Sequence, residues 1–392
     1  MNLLNKATTL FFLLSPTINL SCETFTLYPK TKEIQGRALL SYINDVCHLD
    51  DSDEKFLGHS NIWESREIAQ IFNRLGYIVD YIHYCDLDFT PTLNYDVCFD
   101  IHYNLQRLHP TLNKDCIKIL HITTCHPHKI IQESIKRIDQ LKKKKPIQKY
   151  YIERIHRPDL FLKSLECADY CSLIGNEITL STFHPEDRNK ITKVTVSASY
   201  LGENIKKENY VPAQKEFLWF FGSGALHKGL DLVLDVFKKN KNFKLNVIGD
   251  VKGQPAFWQL YKSELTEYEN IKYNGFVKPS GEQFKEIIDK CFCFIAPSCS
   301  ESISTAVATC LQVGLFPILS KNTGIDLPIN CGIYLNELSE EEIEKAINIS
   351  HNISSENLES QIKLCQEMAF NFYSRESFSK SMTNFLKKAL KL

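Results

Sequence analysis

The chain has 392 residues, 43% of them apolar and 24% charged, and a formal net charge of −1. That length allows two or three domains, and the composition is that of a globular protein; the near-neutral balance argues against wholesale nucleic-acid binding. Fourteen cysteines without a CxxC pair leave no zinc or thioredoxin-type signature, and unpaired thiols in apolar runs fit a reducing, cytoplasmic setting.

The apolar run 7–14 behind Lys6 is leader-like, and residues 1–35 read as an N-terminal extension. The run is too short to span a bilayer. Residues 38–43 (ALLSYI) read as the first strand. Over 63–75, Ile68, Ala69, Ile71, Phe72 and Leu75 recur at helical spacing, and Gly76 closes that helix. Strands follow at 77–81, 95–101 and 117–122, a helix at 162–168, and strands at 170–174 and 194–198. The basic cluster 142–145 reads as a solvated helix end, or as a contact for an anionic membrane surface or a charged acceptor.

A polar stretch over 202–215 reads as a linker. The pattern then restarts, with strands at 217–221, 243–248, 271–273, 291–296 and 316–319, helices at 230–237 and 281–289, and a long amphipathic helix at 374–390. Strands alternating with helices predict parallel sheets covered on both faces. The expected class is therefore α/β, with two doubly wound Rossmann-like domains, 36–203 and 216–372, facing each other across a cleft. Residues 204–215 join them, and 373–392 pack back on the first.

Two motifs in the second half point to chemistry. Gly222-Ser223-Gly224 follows a strand directly, and Lys228 stands at the far end of the turn. His227 occupies the place where a dinucleotide fingerprint needs glycine, and the P-loop spacing also fails. A glycine turn with one mobile cation still suits a diphosphate; the ordinary alternative is a strand-to-helix turn with an exposed lysine. The second motif is Pro297-Ser298-Cys299-Ser300-Glu301, between a buried strand and a helix start. Backbone N–H groups and the helix dipole make a phosphate site there. Glu301 is placed to accept hydrogen bonds from hydroxyls, or, more ordinarily, to cap the helix. Both motifs lie at carboxyl ends of strands in one domain, so they converge on one pocket. An anion cradle beside a hydroxyl acceptor suits a sugar nucleotide. In the first half, His126 follows the strand 117–122 at its carboxyl end, where it would orient an acceptor hydroxyl or touch the donor sugar; the ordinary alternative is a surface loop histidine. No acidic cluster suggests a metal.

The pieces FFGSGALHKGLDLVL (221–235), Gly249-Asp250, Asn274-Gly275-Phe276-Val277 and PSCSES with TC and FPILS over 297–320 stand in an order and spacing that resemble a known family. It is the donor-binding domain of GT-B glycosyltransferases of the large retaining group called family 4, or glycosyl transferases group 1. The first half is similar more loosely to a bacterial subset, through Trp63-Glu64-Ser65-Arg66-Glu67, His126-Pro127 and Leu173-Ile174-Gly175-Asn176-Glu177. The resemblance implies transfer of a sugar from a nucleoside-diphosphate sugar to an acceptor hydroxyl, with retention of configuration and no permanently bound cofactor. It implies a saccharide or lipid-linked saccharide acceptor, with cell-surface polysaccharide or glycoconjugate as product and peripheral contact at the inner face of a membrane. By it, Lys228 holds the donor diphosphate beside Gly222, Ser223 and Gly224, and Glu301 contacts donor-sugar hydroxyls. The backbone of Ser302, Ile303, Ser304 and Thr305 cradles phosphate.

Two positions depart from the family pattern. Its second glutamate falls on Thr309, and an arginine expected five residues before the lysine falls on Ser223. His59, Glu64 and Asn176 are acceptor-side candidates. Their ordinary alternatives are capping of the next helix by Ser60 or Asn61 and, for Glu64, Arg66 and Glu67, an exposed ion-paired face. Two rival classes stand beside the transferase. One is a sugar-nucleotide epimerase, for which no acid/base set is identifiable. The other is a degenerate, non-catalytic saccharide-binding or scaffold protein, which the changes at Ser223 and Thr309 support.

Overall fold

A computed structural model describes residues 23–101, 104–146, 150, 157–201 and 215–392. The leader-like run and all but the last residue of the expected linker lie outside them.

The first sheet comprises β1 (Phe25–Leu27), β2 (Gly36–Tyr42), β3 (Tyr77–His83), β4 (Val97–Asp100), β5 (Ile117–Ile122), β6 (Tyr170–Ile174) and β7 (Ile191–Val194). Its order is β1-β3-β2-β4-β5-β6-β7. The pairs β2/β3, β2/β4 and β4/β5 are parallel, and β1 is an antiparallel edge on β3. The second sheet comprises β8 (Glu216–Phe220), β9 (Lys244–Ile248), β10 (Ile271–Gly275), β11 (Cys293–Ala296), β12 (Phe316–Ser320) and β13 (Ile333–Leu335). It runs β10-β9-β8-β11-β12-β13 with every pair parallel.

The helices are α1 (Glu54–Gly58), α2 (Ser60–Arg74), α3 (Asn104–Leu108), α4 (Pro127–Lys144), α5 (Pro158–Cys167), α6 (Glu177–Ser181) and α7 (Pro185–Arg188). The remainder are α8 (Leu230–Lys239), α9 (Pro255–Thr266), α10 (Glu282–Lys290), α11 (Thr305–Gln312), α12 (Glu340–His351), α13 (Ser355–Phe372) and α14 (Arg375–Leu390). No helix of the described residues is long and apolar enough to cross a membrane. None of the described cysteines is in a disulfide, and most are buried.

By its internal contacts the chain divides into two compact units. One is Met1–Leu49, Ser65–Ile122 and Ile155–Ser172; the other is Asp50–Glu64, Thr123–Arg154 and Leu173–Leu392. The first unit is built on apolar strands buried at consecutive positions and so on both faces, with Tyr42, Tyr81, Phe72 and Phe99 as its largest core side chains. One of its buried carboxylates, Asp100, is paired, as burial requires. Asp100 accepts from the Ser41 hydroxyl at 2.6 Å and from the Leu105 N–H at 3.0 Å.

In the second unit the strand EFLWF of β8 lies at the centre of its sheet, with Phe217, Leu218 and Trp219 buried. The chain winds from β8 outward to β9 and β10, then returns to the other side of β8 with β11, β12 and β13. Between β8 and β11 the winding direction reverses, and the carboxyl ends of two such strands leave a crevice that takes ligands.

Two local expectations shift. The strand expected at 194–198 ends at Val194. The Ser197 N–H donates to Glu64 and the Ala198 N–H to the Tyr373 carbonyl, so these amides serve helices instead of a ladder. The cluster 142–145 is not simply a solvated helix end. Lys144 pairs with Asp235 at 3.3 Å and with Glu340, while Lys145 pairs with Glu264 at 3.2 Å and lies 4.0 Å from the Tyr261 ring centroid. About two turns back along α4, Arg137 makes two 2.6 Å bonds to Asp231. These pairs fasten α4 to α8, α9 and α12. The last helix, α14, packs on β7, with Phe378 edge-on to Trp63 at 5.9 Å.

Candidate active site

The turn after β8 and the loop after β11 meet at the switch point. Gly229 makes this contact possible: its φ is +71°, and a Cβ there would stand 2.5 Å from the Pro297 carbonyl oxygen. The left-handed backbone and the missing side chain are both properties of glycine. The His227 carbonyl accepts the Cys299 N–H at 2.9 Å, and His227 Nε2 bonds the Ser300 carbonyl. A carbonyl only accepts, so Nε2 carries the proton. Nδ1 then faces the Cys299 thiol at 3.3 Å. The histidine that breaks the dinucleotide fingerprint is thus a buried rivet between the two loops.

Riveting the loops brings the two motif residues together. Lys228 Nζ forms an ion pair with Glu301 Oε1; the side chains are 5% and 8% exposed. The ammonium also lies 4.8 Å from the Phe221 ring centroid, and His227 Nε2 is 3.7 Å from the same carboxylate oxygen. Beside Glu301 is a cavity of about 10 Å³, bordered by Cys125, Lys129, Thr182, Lys321 and Gly324. That is room for one water.

The phosphate cradle is expected in the backbone of the loop leading into α11. Part of it is already engaged. The Glu301 N–H donates to the Asn322 carbonyl and the Ser304 N–H to the Thr323 carbonyl. Gly324 lies so close to the Ser302 carbonyl that a Cβ would fall 1.3 Å from its oxygen. The Ser304 amide is therefore engaged within the protein, whereas those of Ser302, Ile303 and Thr305 make no backbone hydrogen bond among the described residues.

Residues 202–332 match the model of the family Glycosyl transferases group 1. The fold is similar to that of sucrose-phosphate synthase from Thermosynechococcus elongatus, at 12% identity and TM-score 0.63 over 90% of this chain and 98% of that one. WaaG, a glycosyltransferase involved in lipopolysaccharide biosynthesis, is similar at 12% identity and TM-score 0.55, over 90% and 99%. Anabaena HepE, solved in complex with UDP-glucose, is similar at 10% identity and TM-score 0.53, over 75% and 79%. At such identities the likeness establishes the fold alone. No curated protein sequence matches the chain.

The chain has the GT-B fold and carries a glycosyl transferases group 1 region.

Lys228 and Glu301 lie within that group 1 region, as do the remaining donor-side candidates. Gly222 and Ser223 are exposed. Gly224 has φ +82°, and its N–H and that of Ala225 both donate to Gln254 Oε1. Ser302 donates its hydroxyl to the Thr123 carbonyl and receives the Thr179 hydroxyl on its own carbonyl. Ile303 and Ser304 are buried, and Thr305 opens α11. Thr309, where the family has its second glutamate, is fully buried. Its hydroxyl donates to the Thr305 carbonyl at 2.8 Å and accepts the Ser199 N–H at 3.1 Å.

Outside the group 1 region, His126 caps α4, accepting the His128 N–H on Nδ1 at 3.3 Å. Burial, with the charges of His128 and His184, holds its imidazole down at about 4, so it is neutral at pH 7. Its neighbour Cys125 touches the Ser300 hydroxyl at 2.8 Å, which puts the start of α4 beside the Glu301 loop. Asn176 caps α6 and donates to Asp326 at 2.8 Å. His59 is exposed at the corner between α1 and α2.

Glu64 and Glu67 are buried, not on an exposed face. Glu64 accepts the Ser197 N–H at 2.7 Å and the Ser197 hydroxyl at 2.8 Å. Nothing in the sequence around position 64 signals this, because its partner is 133 residues away. Gln254, His227 and the backbone of 322–324 were likewise not read as parts of the site; each acts through a contact with a distant loop.

Burial pushes the Glu64 carboxyl up to about 7, although the Ser197 hydrogen bonds and the Arg375 charge pull it down. A carboxyl raised on folding binds its proton more tightly in the native state, so stability falls as pH rises from about 4.5 through 7. Glu64→Gln keeps the acceptor oxygen and removes that titration. We expect the variant to match the parent at pH 5 and exceed it by roughly 2–3 kcal/mol at pH 8. Urea midpoints at the two pH values check this; equal slopes with pH in both proteins would contradict it.

Proposed function

We propose that the chain transfers a sugar from a nucleoside-diphosphate sugar to an acceptor hydroxyl. One observation carries this reading. A lysine and a glutamate from two strand ends meet, nearly buried, at the switch point of the sheet within the group 1 region. The donor diphosphate would take the ammonium of Lys228 and the amides of Ser302 and Ile303. Glu301, released from its lysine, would accept hydrogen bonds from the donor sugar. As the glycosidic bond breaks, negative charge gathers on the leaving phosphate, where a prepositioned cation in a water-poor site is most effective. His126, neutral and next to the Glu301 loop, is the group we assign to orient the acceptor. The retaining outcome and a lipid-linked or polysaccharide acceptor are the family's expectation and complete the proposal.

A non-catalytic saccharide-binding protein of the same fold is favoured by Thr309, whose hydroxyl is engaged within the protein where the family has a glutamate. Melting curves with UDP-, GDP- and ADP-sugars at millimolar concentration separate the readings. Donor binding at a hundred times Kd stabilises by about 2.7 kcal/mol, so one nucleotide should raise Tm by several degrees. A rise in Tm with no transfer to any saccharide would favour the binding protein. No rise with any of the three would remove the donor site.

A further inference from the structure

We infer that Gln254 is a built-in stand-in for a phosphate oxygen, occupying the glycine-turn amides until the donor displaces it. The inference rests on the donor-binding reading above and names a further residue that sets donor affinity.

The turn after β8 closes like a single turn of helix. The Lys228 N–H donates to the Gly224 carbonyl at 2.8 Å, and the Leu230 N–H to the Ala225 carbonyl at 2.9 Å. The amides that open such a turn have no partner within it. Here both, from Gly224 and Ala225, converge on one atom, Gln254 Oε1, at 3.1 and 2.6 Å. Successive backbone amides aimed at one oxygen make the concavity in which proteins hold anions.

Gln254 is delivered to that position by a preformed hook after β9. The Asp250 N–H is tied to the Gly222 carbonyl, the Gly253 N–H to the Asp250 carboxylate, and the Gln254 N–H to the Val251 carbonyl. Its side-chain Nε2 donates to the Asp250 carbonyl at 2.6 Å, which fixes the amide orientation with the oxygen toward the turn. The far end of the same turn carries Lys228, which is also held by an oxygen of this chain, from Glu301. Both anion-seeking ends of one turn are thus satisfied from within.

The two surrogates differ in kind. Gln254 Oε1 is neutral and its residue is partly exposed, so it can leave without uncovering a charge. A phosphate oxygen at the same amides makes charge-assisted bonds about twice as strong. The exchange therefore favours the donor while keeping the turn shaped in its absence. A residue that merely capped the turn would stay in place and leave donor affinity untouched.

The test measures binding of UDP, GDP, ADP and inorganic pyrophosphate by calorimetry to the parent, Gln254→Ala and Gln254→Glu, with a melting curve for each. Removing the stand-in should tighten the best nucleoside diphosphate roughly three- to tenfold, with a small fall in Tm. Placing a carboxylate on the amides should weaken it about tenfold. Unchanged or weaker binding by Gln254→Ala, or unchanged binding by Gln254→Glu, overturns the inference while leaving the donor site intact. If Gln254→Ala does not fold, Gln254→Glu, which keeps an acceptor oxygen, decides alone. Failure of the parent to bind any nucleoside diphosphate overturns the donor reading and this inference with it.

Discussion

Lys228→Ala should lower the rate of sugar transfer by roughly 10²–10³-fold, because it removes the cation paired with Glu301 to which we assign the leaving phosphate. It should also destabilise the fold. The Glu301 side chain is 8% exposed, and a buried carboxylate stripped of its cation costs about 3–5 kcal/mol. Activity and stability must therefore be separated. Replacing both partners, as Lys228→Met with Glu301→Leu, leaves no unpaired charge and should recover most of the stability while transfer stays lost. Turnover and urea midpoints on the two single variants and the double variant read both effects. Sugar transfer at the parent rate in Lys228→Ala and in Glu301→Ala would sink the site assignment.

The second large effect is structural. Arg137→Ala should cost about 3–5 kcal/mol, as it leaves Asp231 nearly inaccessible, with a side chain 1% exposed, and without its two 2.6 Å bonds. This pair holds α4 to α8. Since α8 follows directly from the Lys228 turn and α4 begins at His126, loosening the pair should reach the site from the side. The paired variant Arg137→Met with Asp231→Leu should be near neutral or more stable than the parent, because desolvation of both charges is avoided. By contrast, the partly exposed Lys136–Glu133 pair at 2.8 Å should be worth no more than about 0.5 kcal/mol. Equal losses from Arg137→Ala and Lys136→Ala in urea titrations would show that burial does not set the cost.

The order of elements was legible because the signals for it are local. Strands 117–122 and 170–174 came out to the residue, since each is a short apolar run bounded by polar turns. Gly76 closed its helix as expected, with φ +91°. The 194–198 strand was misplaced for a nonlocal reason: its alternation is real, but its amides bond Glu64 and Tyr373. The three-residue strands β1 and β13 were missed because so few residues carry no period.

The candidate site divides in the same way. Glycine turns, a lysine and a glutamate at strand ends, and the family spacing of these pieces are all properties of the linear chain, and they were sufficient to name Lys228 and Glu301. Their pairing depends on Gly229 passing under Pro297 and on His227 bonding Ser300, contacts between segments some 70 residues apart. Burial of Glu64, engagement of the Thr309 hydroxyl, the lost Ser304 amide and the Gln254 oxygen on the glycine turn were decided only on folding. A side chain's type and its neighbours in sequence set what chemistry it can do; which partner satisfies it, and whether water reaches it, is set by the strand order that brings distant loops to one edge.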